Sequence, residues 1–261
     1  MSRITNISRK LFDDWFNKMP YETLSGDLSL GGIDQAYAAQ STIQDLFSKT
    51  RGEIAGRKIA LASKAMQQMC GIDHPIAGAI FARDVCGTGT QVSLSGFQHL
   101  GLEFELALEL KRDVPPQTDP HNAATVGGFI AAARPAFEII EDKNADYSQL
   151  DVFTMIADNA WCGGVVLGPE IDGWRGMELG NIPSCVYQQG AAPEATNTGA
   201  ADPLGSLAWV LNHFSKRGIT LSEGEQIITG SAVRTRFPVA GDKFSYDVAG
   251  AIVEVEFTWA S

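Results

Sequence analysis

Residues 102–110 read Leu102-Glu103-Phe104-Glu105-Leu106-Ala107-Leu108-Glu109-Leu110, an alternation with a period of two. Successive side chains on a strand point to opposite faces. Leu102, Phe104, Leu106 and Leu108 therefore take one face, which must be core. Glu103 and Glu105 stand side by side on the other, and Glu109 continues the row. Like charges arranged this way repel unless something compensates them. A divalent cation is one compensator, since Mg²⁺ takes carboxylate oxygens at about 2.0–2.1 Å and keeps water or substrate positions open. The alternative is an amphipathic edge strand with a solvated acidic face. A metal site needs a third carboxylate. Glu138, in Ala133-Arg-Pro-Ala-Phe-Glu-Ile-Ile-Glu-Asp-Lys143, is the candidate, because a Glu between Phe137 and Ile139 is rarely buried without a partner. Glu141 and Asp142 read as a solvated turn.

Outward from this strand, the first third of the chain is helical. Leu11, Phe12, Trp15, Phe16 and Met19 recur at helical spacing within residues 8–20, and Ile33 to Ser48 forms a second such stretch. After Gly56 the pattern turns to strands: 58–62, 78–81, 137–140 and 163–168, with 125–133 either a packed helix or a buried strand. Residues 191–202 read as loop and Leu204 to Phe214 as a helix, and short strands and turns run from Ile227 to Phe257. This is an α+β chain, with a helical segment over 1–55 and a strand-rich body over 56–261 that together could form one domain.

The 261 residues include 20 Lys+Arg and 31 Asp+Glu, a net charge of −11, and 44% are hydrophobic. Such a chain can bury a full core. Its acidity argues against nucleic acid and anionic membranes as partners. The longest uncharged run, Val85 to Leu102, is too rich in Gly, Ser, Thr, Gln and His to span a bilayer. The charged start, MSRITNISRKLFDDWF, lacks an apolar signal core, so a cytoplasmic location is expected. Cys70, Cys86, Cys162 and Cys185 show no metal-type spacing and read as buried thiols.

The order and spacing of several segments resemble the fumarylacetoacetate hydrolase superfamily, in its 2-oxo-pent-4-enoate hydratase and 4-oxalocrotonate decarboxylase branch. They are AYAAQ (36–40), GRKIALASKAMQ (56–67), GIDHP (71–75), LEFELALEL (102–110), PAFEIIEDK (135–143), IADNA (156–160), VVLG (165–168), PLGSLAWVLN (203–212), GITLSEGEQIITGS (218–231) and VAGD (239–242). The resemblance implies a mixed, rolled β-sandwich or partly open β-barrel with outer helices, in a protein that forms homo-oligomers. It implies Mg²⁺ or Mn²⁺ held by Glu103, Glu105 and Glu138. It assigns Lys58 to catalysis and to binding a small anionic 2-oxo acid substrate, and Thr229, Gly230 and Ser231 to a turn lining the pocket, where backbone N–H groups could hold a carboxylate.

The chain departs from that pattern at two places. Trp161 stands where the family has a serine after ADNA. Ala82 and Arg83 replace paired acids, with Asp84 displaced by a residue or two. Asp84 is then the remaining acid-base candidate, and Arg83 and Trp161 are candidate substrate contacts. None of His74, His99, His121 and His213 has triad spacing, and each reads as structural or exposed. The implied activity is a metal-dependent lyase, a hydratase or decarboxylase, acting on a 2-oxo or 2-hydroxy-dienoic acid in aromatic catabolism. The alternatives are a C–C hydrolase of acylpyruvates, whose family members use a histidine–acid pair, and a non-catalytic ligand-binding or partner subunit.

Overall fold

The computed structural model describes residues 2–259. Two helices lead the chain, α1 (Arg3–Phe16) and α2 (Ile33–Arg51). The Ser2 hydroxyl caps α1 by accepting from the Thr5 amide. α2 ends at Gly52, whose φ of 84° suits glycine. The two helices bury Ile7, Leu11, Ile43 and Phe47 against Phe81 and Ala157 of the body. Arg51 fastens the contact. Its guanidinium lies 5.0 Å from the Trp15 ring and 4.9 Å from that of Phe47, and it bonds to Asp84 at 2.6 Å.

Among the described residues the body has twelve strands: β1 (Ile54–Ala60), β2 (Ile76–Phe81), β3 (Val85–Gly87), β4 (Thr90–Ser93), β5 (Leu100–Leu110), β6 (Ile130–Glu141), β7 (Cys162–Leu167), β8 (Pro183–Gln188), β9 (Glu194–Asn197), β10 (Gln226–Ile228), β11 (Lys243–Val248) and β12 (Ala251–Thr258). Three further helices join them: α3 (Lys64–Met69), α4 (Val152–Ala157) and α5 (Pro203–Lys216). One sheet has the order β2-β1-β10-β5-β6-β7-β3 and the other β4-β12-β11-β8-β9. The larger sheet curls until β2 approaches β7, and Ile80, Ala107, Ala136, Val165 and Ile228 fill its inner side. The smaller sheet packs on its outer side. Phe104 meets Phe137, Phe244 and Tyr246 there at 5.3, 5.9 and 5.8 Å between ring centroids. This is the rolled, partly open architecture that the resemblance implies. The period-two pattern of β5 thus separates an apolar outer face from an acidic inner one.

Two stretches differ from their sequence reading. β6 runs through Pro135 as one long strand, where residues 137–140 read as a short strand and 125–133 as either a packed helix or a buried strand. Proline is tolerated because β7 stops at Leu167, so no strand awaits the missing N–H on that side. The Pro135 carbonyl still accepts from Gly168. The loop-like stretch 191–202 holds the edge strand β9 and a single helical turn. All four cysteines are free, but only Cys162 is buried. Among the described residues no helix is long and apolar enough to cross a membrane.

Candidate active site

β5 and β6 pair so that Glu103 stands opposite Glu138, with Glu105 opposite Ala136. One oxygen from each of Glu103, Glu105 and Glu138 lies within 4.8 Å of the others. Glu105 and Glu138 are 1% and 0% exposed, which rules out the solvated acidic face. Glu105 Oε2 accepts the Gly230 N–H at 2.6 Å, and Glu103 Oε1 accepts the Thr235 hydroxyl at 2.6 Å. Glu105 Oε1 and both oxygens of Glu138 accept no aligned hydrogen bond among the described residues. Buried carboxylate oxygens are costly in that state. Three converging carboxylates with free lone pairs are the donor set that a hard divalent ion takes. Burial, reinforced by the charges of Glu138 and Glu103, holds the Glu105 carboxyl well above the usual range. Burial likewise pushes Glu138 up to about 7, opposed by Lys58 and reinforced by Glu103. Glu109 stays out of the cluster and lies 3.5 Å from Arg134.

Lys58 reaches this cluster from β1. Its side chain is 2% exposed, and Nζ lies 2.8 Å from Glu138 Oε1 as a close ion pair that is off the line of a hydrogen bond. Nζ donates to the Ala160 carbonyl at 2.9 Å. Burial alone would lower the lysine, but Glu138 and Glu103 outweigh it, so the group is held as an ammonium above its ordinary value. The carbonyl is aimed by three consecutive left-handed residues, Asn159, Ala160 and Trp161, with φ of 53°, 49° and 61°. Such a run is strained for side chains other than glycine. The Asn159 amide holds it, since Oδ1 accepts from the Ala79 N–H at 2.8 Å and Nδ2 donates to the Ala79 carbonyl at 2.9 Å. Glycine is required at 78, where a Cβ would meet the Asn159 carbonyl oxygen at 2.6 Å. Asn159→Ala is expected to cost about 2–4 kcal/mol in denaturant unfolding, because alanine loses these bonds and tolerates positive φ less well.

A cavity of about 830 Å³ opens onto the cluster, with Lys58, Glu103, Tyr147, Met155, Trp161 and Ser231 among its lining. Apolar walls with a few convergent polar groups are usual for a small-molecule site. Trp161 is 4% exposed and meets Tyr21 and Tyr147 edge-on, at 5.5 and 6.0 Å between centroids. Its indole N–H has no partner among the described residues. Gly230 and Ser231 line the cavity, whereas Thr229 is fully buried behind it and donates its hydroxyl to the Leu106 carbonyl at 2.9 Å. The Thr229 and Gly230 N–H groups are committed to Leu106 and Glu105, so neither is free to cradle a carboxylate.

Arg83 and Asp84 are not brought to the cavity. β2 ends at Phe81, and a single helical turn carries both toward the N-terminal helices. Arg83 is exposed and donates to the Thr50 carbonyl at 2.8 Å, while Asp84 is held by Arg51. The reading of Glu141 and Asp142 as a solvated turn is also corrected, since they are 5% and 0% exposed. Glu141 accepts the N–H groups of Gln98, His99 and Lys143. Asp142 accepts Tyr147 Oη–H at 3.0 Å and faces His99 Nδ1 at 2.6 Å. A contiguous polar run hides such burial. The signal that was available is the Asp-x-Asn step, in which Asp142 accepts the Asn144 N–H.

No family model matches the chain. It is 31% identical to the 2-keto-4-pentenoate hydratase of Paraburkholderia xenovorans (strain LB400) over 229 residues, 86% of this chain and 84% of that one. It is 32% identical to the enzyme of the same name from Burkholderia vietnamiensis (strain G4) over 204 residues, 77% of this chain and 76% of that one. In structure it is similar to 4-oxalocrotonate decarboxylase from Pseudomonas putida G7, complexed with magnesium and adipate. The TM-score is 0.88 with 22% sequence identity over 98% of both chains, a likeness of fold. On this sequence identity and coverage, with the likeness of fold beside it, the chain belongs to the 2-keto-4-pentenoate hydratase and 4-oxalocrotonate decarboxylase branch of the fumarylacetoacetate hydrolase superfamily.

Proposed function

We propose that the chain is a Mg²⁺-dependent lyase acting on a 2-oxo or 2-hydroxy-dienoic acid in aromatic catabolism. Hydration is the leading reaction, because the sequence relatives carry hydratase names. The observation that carries this reading is the convergence of Glu103, Glu105 and Glu138 with Lys58 beside them, where Glu103 and Lys58 line the cavity and Glu105 and Glu138 lie buried behind. Glu103, Glu105 and Glu138 would hold the ion, Mg²⁺ or Mn²⁺, since an all-carboxylate set suits both. When bound, the ion supplies a Lewis acid for the carboxylate and 2-oxo oxygen of the substrate. The Lys58 ammonium offsets the acidic cluster and supplies positive charge to an anionic substrate. Trp161 and Met155 exclude water from the apolar part of the cavity. Assembly as a homo-oligomer in the cytoplasm belongs to the same proposal.

The protein with Mg²⁺ is expected to consume 2-hydroxypenta-2,4-dienoate, seen as loss of dienol absorbance, and to stop when the ion is chelated. Absence of loss with or without the ion would contradict the reading. Cleavage of an acylpyruvate instead would favour the hydrolase, against which stands a cavity lining without histidine among the described residues. Tight oxalate binding without turnover would mark a ligand-binding subunit. Trp161→Ser is expected to change kcat/KM for the dienoate and to lower stability by about 3 kcal/mol, the order found when a buried Trp is truncated. Unchanged kinetics in that variant would place the indole outside the substrate's reach.

A further inference from the structure

With Asp84 tied to Arg51, the site lacks an evident group to move a proton. The described titratable side chains lining the cavity are Lys58, Glu103, Tyr147, Glu194 and Arg234. Lys58 is an ammonium committed to Glu138 and the Ala160 carbonyl, and Glu103 belongs to the carboxylate cluster. Glu194 is paired with Arg236. Arg234 does not lose its proton in a protein, and Trp161 has an N–H that can donate but not accept. Tyr147 is different. Its hydroxyl donates at 3.0 Å to Asp142 Oδ2, a carboxylate with no exposure. Asp142 Oδ1 lies 2.6 Å from His99 Nδ1, and the His99 side chain is 38% exposed. The imidazole is stacked on Phe237 at 4.6 Å between centroids, and Phe237 lines the cavity although His99 does not. A hydroxyl in the cavity is thus backed by a buried carboxylate, which is itself held from the solvent side.

We propose that Tyr147, backed by Asp142, is the catalytic residue that takes a proton from the substrate, and that His99 is the positioning residue that fixes Asp142. This rests on the lyase reading above. The step is a double proton shift. A substrate O–H bond breaks as a new O–H bond forms on Tyr147 Oη, and the original Tyr147 O–H breaks as one forms on Asp142 Oδ2. The substrate gains one negative charge, the carboxylate becomes neutral, tyrosine never becomes a phenolate, and no electrons are exchanged. In a second shift of opposite sense, the Tyr147 O–H breaks as a C–H bond forms on the substrate anion, and the Asp142 O–H breaks as a new O–H forms on Tyr147 Oη, which leaves the carboxylate ionised again and the substrate as its 2-oxo tautomer. Because the tyrosine donates to Asp142, its oxygen lone pairs are left for the substrate. The raised phenol agrees with this shuttle role: burial is the largest cause, followed by Asp142, with the Glu103 charge adding to it.

The test uses the full chain with Mg²⁺ and 2-hydroxypenta-2,4-dienoate. Tyr147→Phe keeps the ring packing and is expected to lower kcat about 100-fold or more, the scale of general acid–base catalysis. KM, calorimetric Mg²⁺ affinity and melting temperature are expected to stay near wild type. Asp142→Asn is expected to lower kcat comparably, and the double variant to be no slower than the worse single one, because the two groups form one route. His99→Leu is expected to cut kcat roughly tenfold at unchanged KM, the value of one charge-assisted hydrogen bond. His99→Asn, which keeps a donor near Oδ1, is expected to restore most of that loss. Turnover by Tyr147→Phe within twofold of wild type overturns the proposal, as do losses that multiply in the double variant. If Asp142→Asn fails to fold, Tyr147→Phe decides. An inactive wild type sinks the lyase reading and this role with it, whereas an active wild type with an unaffected Tyr147→Phe sinks this role alone.

Discussion

Glu105→Gln is expected to abolish specific divalent-ion binding while raising the melting temperature of the ion-free protein by several degrees. Both effects follow from one arrangement. Glu105 is buried beside Glu138 and Glu103, with one oxygen on the Gly230 N–H and the other without a hydrogen-bond partner among the described residues. Glutamine keeps the shape and the acceptor for Gly230 but removes a charge that burial and its neighbours disfavour. Relief on the order of 1–2 kcal/mol corresponds to about 2–4 °C per kcal/mol in a chain of this size. The cation shows the opposite pattern. At a hundredfold excess over its Kd it stabilises the wild type by about 2.7 kcal/mol, and it is expected to leave Glu105→Gln unmoved. Thermal melts with and without Mg²⁺ check both arms. A variant that melts lower without the ion and still gains from its addition would show that the carboxylates do not form one site.

Lys58→Met is expected to lower kcat by about 100- to 1000-fold, the cost of deleting one preorganised electrostatic group. Its cost in stability is expected to depend on the ion. Glu138 loses its cation at 2.8 Å, and an uncompensated buried charge costs about 3–5 kcal/mol. Mg²⁺ beside Glu138 offsets part of that loss, so denaturant midpoints of variant and wild type should move closer when the ion is present. Lys58→Arg is no rescue, because a 2% exposed site has little room for a planar fork. Equal losses of stability with and without Mg²⁺ would show that Lys58 and the ion do not share Glu138.

Much of the site was legible because it sits on strands. Period-two alternation needs only neighbouring residues, so Glu103 and Glu105 declare their face without any tertiary information. Glu138 was legible as a charge set among Phe137 and Ile139, although its alignment opposite Glu103 is a matter of register. Lys58 followed from its strand and the resemblance. What escaped depends on partners distant in sequence. Asp84 looks like a free acid until Arg51, from the end of α2, reaches it. Glu141 and Asp142 look solvated because acidic runs usually are. The burial of Glu141 rests on amides at Gln98 and His99, and that of Asp142 on Tyr147 Oη and His99 Nδ1, of which the local acidic run gives no sign. Tyr147 and His99 carry no pattern of their own and gain meaning only through Asp142. Pro135 masked the length of β6, because proline is expected to break a strand unless one side of it has no partner to lose.

Anomalous diffraction from crystals grown with Mn²⁺ and oxalate examines the three carboxylates directly. A single peak between Glu103, Glu105 and Glu138, with oxygen ligands and oxalate on its cavity side, is expected. Side chains turned away from one another, with no peak between them, would leave an acidic inner sheet face and no metal-dependent chemistry.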